Sequence, residues 1–91
     1  MAVRVFDTSS SKWVRVEDGD VNYVVDEMEA TEFGLSGLVS AQGFFPDFRT
    51  YRRSFRAVPV SGNGQPPHEC GTVEAYIAER KDVSDFATHG F

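Results

Sequence analysis

Residues 2–26 read AVRVFDTSSSKWVRVEDGDVNYVVD, and the alternation within them decides the fold. Val3 and Val5 alternate with Ala2, Arg4 and Phe6, and the turn formers Asp7, Thr8, Ser9 and Ser10 follow. That pattern predicts a strand ending in a turn. In Lys12 to Glu17, Val14 and Val16 oppose Trp13 and Arg15, as in a second strand returning antiparallel to the first. Asp18-Gly19 then stands where a tight type I′ turn needs two residues at positive φ. From Asp20 to Asp26, Val21, Tyr23 and Val25 alternate with Asn22 and Val24. Helical spacing at Val21, Val24 and Met28 competes, but β-branched and aromatic residues directly after Asp-Gly favour a pleat. The expectation is a three-stranded meander, followed by one short helix in EMEATEF.

Further along, Gly34, Gly37 and Gly43 punctuate FGLSGLVSAQG, which disfavours a helix and predicts a strand or loop around Leu38 to Ala41. FFPDF, with Pro46 extending the backbone at Phe45, reads as a turn or exposed loop. Arg49 to Val60 alternates in the β sense, placing Arg49, Tyr51, Arg53, Phe55 and Ala57 opposite Thr50, Arg52, Ser54, Arg56 and Val58. Residues 61–71 read as a flexible loop, from the Gly and Pro of SGNGQPP. Thr72 can cap a helix carrying Val73, Tyr76, Ile77, Val83 and Ala87 on one stripe, although Val73, Ala75 and Ile77 also alternate as a strand would. Residues 84–91 form a tail. The fold class expected is α+β: a small β-dominated domain with an N-terminal antiparallel meander, an arginine-bearing strand and a C-terminal helix. An all-β small barrel is the alternative.

Ninety-one residues suit a single domain spanning 1–91. The 41% hydrophobic content and the aromatic residues argue for a packed core rather than disorder. Net charge is −5, but residues 43–60 carry four arginines against one aspartate. An acidic chain of this kind is a poor general binder of duplex nucleic acid. One cysteine excludes an internal disulfide, and no apolar run approaches the roughly 18 residues of a membrane span. The sequence therefore predicts a soluble cytoplasmic protein.

The segment that asks for a partner is Gly43 to Val60, GFFPDFRTYRRSFRAVPV, with four of seven arginines and five aromatic residues. Guanidinium groups fork onto oxyanions and stack on rings, and both residue types concentrate in interfaces and at phosphate sites. On one exposed strand face, Arg52 and Arg56 would stand roughly 13 to 14 Å apart, flanked by Thr50 and Ser54. Arg49 and Arg53 share the other face with Tyr51 and Phe55, where stems cover the core or guanidinium groups stack on rings. Phe44, Phe45 and Phe48 complete the expected partner-binding set.

A second surface is acidic: Asp26, Glu27, Glu29 and Glu32 can imitate a nucleic-acid backbone, or can simply keep the protein in solution. His68, Cys70 and His89 lack the paired spacing of a zinc site and any orienting third group for a nucleophile. Neither a catalytic residue, a metal nor a cofactor is expected. The functional class predicted is a non-catalytic binding protein, an adaptor, inhibitor or assembly factor of the size found among phage and bacterial accessory proteins. Its partner is another protein or copies of itself in a homo-oligomer, with no membrane involved. Nucleic acid or a phosphate ligand on the same arginines is the second reading, and an acidic nucleic-acid mimic the third.

Overall fold

The computed structural model describes residues 2–60 and 66–80. Strands β1 (Val3–Asp7), β2 (Lys12–Glu17) and β3 (Asp20–Val24) form the expected meander. A later strand, β4 (Phe55–Pro59), pairs antiparallel with β1, giving a four-stranded sheet in the order β3-β2-β1-β4. The sheet is open, with β3 and β4 at its edges, so the barrel alternative is set aside. Asp18 and Gly19 take φ of 53° and 78°, the backbone that a two-residue turn with the sheet's own twist requires. Asp7 closes the preceding turn: its carboxylate accepts from Ser9 N (3.1 Å), Ser9 Oγ (2.7 Å) and Ser10 Oγ (2.8 Å).

Near that turn β1 and β2 pair directly, Phe6 opposite Trp13, but no pairing between them continues towards Val3. Residues 31–33 take the place of that pairing. Thr31 N donates to Val14 O, the Thr31 hydroxyl accepts from Val16 N at 2.8 Å, and Phe33 exchanges backbone hydrogen bonds with Val3 at 2.7 and 2.9 Å. This wedge satisfies strand groups that the splay would otherwise leave unpaired. With Val3 opposite Phe33, Glu32 comes alongside Arg4. Arg4 is 7% exposed, and its guanidinium reaches Glu27 (3.2 Å) and Glu32 (3.3 Å) while Nε stays unpaired. Asp26 accepts from Met28 N and starts the one-turn 3₁₀ helix Glu27–Glu29 that carries the first of these carboxylates.

Helices cover one face of the sheet, and two corrections belong to them. Residues 35–44 are neither strand nor loop: they form α1 (Leu35–Phe44) despite two internal glycines. Leu38 and Ala41 are buried against the sheet, and that packing outweighs a propensity cost of about 1 kcal/mol per glycine. FFPDF is no exposed loop. Phe45 is extended, as a residue before proline should be, but Pro46 then opens a second helix, α2 (Pro46–Thr50), whose Phe48 is 2% exposed. Thr72 caps a third helix, α3, over residues 73–80, accepting from Ala75 N at 3.1 Å. Val73 and Ile77 turn inward to join Val3, Val5, Val14, Leu38, Phe48, Phe55 and Ala57 in the main core.

The opposite face is not bare. Phe6, Trp13, Ala30, Val58 and Cys70 form a smaller core beneath the Glu27–Glu29 turn and a second 3₁₀ turn at Pro67–Glu69. Ala57 N donates to Gly71 O and Arg56 bridges Thr72, so the chain after that turn lies along the free side of β4. Of the loop expected over 61–71, residues 66–71 are instead held by the 3₁₀ turn, the buried Cys70 and the bond from Ala57 N to Gly71 O, while 61–65, the tail at 84–91, Val83 and Ala87 lie outside the described residues.

Arg4 offers a direct test of the wedge. Arg4→Ala removes both ion pairs and the packing of the stem, and should cost about 2 kcal/mol in urea denaturation. Arg4→Met keeps the volume and removes the unpaired Nε, so it should stay within about 1 kcal/mol of the parent.

Candidate functional site

Strand geometry does not hold through the arginine segment. Arg49 lies in α2, and residues 51–54 form a turn in which Ser54 N and Phe55 N both donate to Tyr51 O. Only residues from Phe55 onward are strand, so Arg52 and Arg56 do not share a strand face, nor do Arg49, Tyr51 and Arg53 share one with Phe55. The physical reason is a second periodicity hidden in the same letters. Phe48, Tyr51 and Phe55 are spaced i, i+3, i+7 and meet as rings: Phe48 edge-on to Phe55 at 5.0 Å, Tyr51 stacked on Phe55 at 6.0 Å.

The four arginines accordingly separate into two kinds. Arg56 projects from β4 beneath the smaller core, where it donates to Cys70 O at 3.0 Å and buries an unpaired Nε. It ties the strand to the following turn. Arg49, Arg52 and Arg53 are exposed and form no ion pair with any described residue. The aromatic residues separate in the same way. Phe48 and Phe55 are core, Phe45 is half-buried, Tyr51 is partly exposed, and Phe44 stands 71% exposed at the end of α1.

Two recesses flank α1. One, of about 540 Å³, is apolar and lined by Val16, Phe33, Gly37, Ala41, Phe44 and Phe45, with Ser40 and Gly43. The other, of about 510 Å³, is mixed and lined by Val39, Gln42, Gly43, Phe48, Arg49, Arg52 and Glu74. Gly43 borders both, and a Cβ built there meets nothing within 4 Å, so its bare backbone forms a low saddle between them. The resulting surface combines exposed Val39 and Phe44, an apolar trough on one side and, on the other, two guanidinium groups that no described residue pairs. The helix glycines were the missed signal: read as helix breakers, they instead thin one face of a helix.

The acidic set has internal duties. Glu27 and Glu32 hold Arg4, Asp26 caps the 3₁₀ turn, and Glu29 is exposed. His68 sits edge-on to Phe6 at 5.2 Å, and burial pushes the Cys70 thiol up, away from the thiolate a nucleophile needs. His89 lies outside the described residues, among which no group of three His, Cys, Asp or Glu could hold a metal ion. Beside the Asp7 turn, the Tyr23 hydroxyl donates to Asp47 Oδ2 at 2.7 Å. Burial, and then that carboxylate, push the Tyr23 hydroxyl well above the ordinary tyrosine range. Among the described residues no helix is long and apolar enough to cross a membrane.

Two outcomes follow from this geometry. Gly43→Ala should raise stability by about 0.5 to 1 kcal/mol in chemical denaturation, because the methyl meets no neighbour and removes unfolded-state freedom. For Tyr23, a folded-state pKa above the unfolded one gives stability that is complete below the unfolded value. It should be lost as pH rises past about 10. Tyr23→Phe should flatten that alkaline loss in pH-dependent denaturation.

No family model, curated protein or solved structure matches the chain.

Proposed function

We propose that this chain is a non-catalytic binding module that docks an acidic, amphipathic segment of a partner protein across α1 and α2. The observation that carries this reading is Phe44, 71% exposed beside the apolar trough, with Arg49 and Arg52 lining the recess across the Gly43 saddle and ion-paired with no described residue. An exposed ring next to apolar concavity favours a burying partner, and aromatic and arginine side chains anchor such interfaces. Carboxylates on the partner would meet the guanidinium groups in the forked geometry that arginine provides. Apolar side chains of the same segment would fill the trough over Gly37 and Ala41.

Nucleic acid on the same arginines is the competing reading, and Tyr51 is the ring nearest to serving it. Its stacking on Phe55 occupies one of its two faces, which leaves one for a base. The apolar lining of the larger trough favours protein.

A photo-crosslinking residue at position 44, in place of Phe44, tests the proposal in the native host. The expected product is an adduct with an acidic protein, lost in the folded double variant Arg49→Glu, Arg52→Glu. An adduct unaffected by that charge reversal, or one formed with nucleic acid, would sink it. Affinity for the captured protein should fall only modestly from about 50 to about 200 mM salt, whereas three phosphate contacts would cost roughly 40-fold over that range.

A further inference from the structure

The two edges of the sheet are treated differently. The chain at residues 71–72 lies along β4, with Ala57 N bonded to Gly71 O. No described residue pairs with the outer side of β3. Glu17 and Asp20 flank a two-residue turn and are therefore a hydrogen-bonded pair, which makes Val21 and Tyr23 members of the alternate pairs. Their opposite numbers on β2 behave accordingly: Val16 and Val14 turn their backbone groups away from β3, towards Thr31. Val21 and Tyr23 must likewise turn N–H and C=O outward, a row of two donors and two acceptors open to an incoming strand.

Charge says what kind of strand would fit. Asp18 and Asp20 stand at one end of the row and Asp26 follows two residues past the other, all exposed and none ion-paired with a described residue. A second copy of this edge does not suit. Antiparallel pairing about Asn22 would set Asp18 of each copy against Asp26 of the other, and like charges placed opposite one another repel. Val25, directly after β3 and 79% exposed, adds apolar surface at the far end.

We propose that β3 receives an extended, basic segment of a partner protein as an added strand, its cationic ends seated against Asp18 and Asp20 and against Asp26. The backbone row supplies pairing and the carboxylates select charge. This site is separate from the surface at Phe44 and stands or falls without it.

The probe is a synthetic strand of alternating threonine and valine with lysine at both ends, compared with the same strand ended in glutamate and with one carrying central proline. Amide exchange by NMR reads the edge directly. In the free protein the Val21 and Tyr23 amides should exchange fast, while those of Asn22 and Val24, bonded to β2, are protected. With free lysine-ended peptide at about ten times its Kd, exchange at Val21 and Tyr23 should slow by about tenfold, since it then proceeds only through the unbound fraction. The proline and glutamate peptides should not protect. The variant Asp20→Lys should weaken that preference, and Phe44→Ala should leave it intact. Val21 and Tyr23 amides already protected in the free protein would overturn the proposal. So would equal binding of the glutamate peptide, shifts confined to the Gly43 surface, or no binding by any peptide at millimolar concentration.

Discussion

The exchange of backbone hydrogen bonds between Val3 and Phe33 is the constraint on which the rest of this domain depends. It stops β1 and β2 from pairing along their full length, and it brings residues 31–33 into the sheet between them. From that position Glu32 reaches Arg4, Phe33 turns into the core, and α1 begins two residues later over the centre of the sheet. The connection that looks like a linker in the sequence is therefore a structural member. Its location also explains a buried arginine in a small domain: Arg4 faces carboxylates delivered by the turn and by the wedge, and both remain about half solvated, which limits the desolvation cost.

Arginine does two jobs in this chain, and burial separates them. Arg4 and Arg56 lie on adjacent strands of the same sheet face, each with a buried, unpaired Nε, and each joins the sheet to a 3₁₀ turn or its flank. Arg49, Arg52 and Arg53 lie beyond the core on α2 and the turn that follows it, where no described carboxylate engages them. A cluster dense in the sequence is thus divided in space, and only its first part faces outward without a partner among the described residues.

The sheet was legible where local and global preference agree. Strict alternation in β1, β2 and β3, with Asp-Gly between the last two, needed no tertiary information, and neither did Thr72 as a cap. The helices were obscured for a physical reason: α1 owes its existence to burial of Leu38 and Ala41 rather than to propensity, and glycine counts against it in every local scale. From Arg49 onward two periodicities overlap, and Pro46 at the first position of α2 was the available hint that the helical one wins. Of the candidate surface, Phe44, Arg49 and Arg52 were legible as residue types. The trough was not, because it joins Val16 of β2 to Phe33 of the wedge beside α1, a meeting only the tertiary fold creates.

The placement of β1 has a consequence for synthesis. β1 is central, yet the neighbour on its far side, β4, is separated from it by 47 intervening residues in the chain, Thr8 to Ser54. On a ribosome adding 5 to 20 residues per second, that gap lasts roughly 2 to 9 s. During that interval the meander is a half-sheet whose most apolar strand is an unprotected edge, the arrangement that chaperones and like-sequence neighbours find first. The β2–β3 hairpin can form locally within microseconds, so completion of the sheet waits on Phe55 and Ala57 reaching Val3 and Val5.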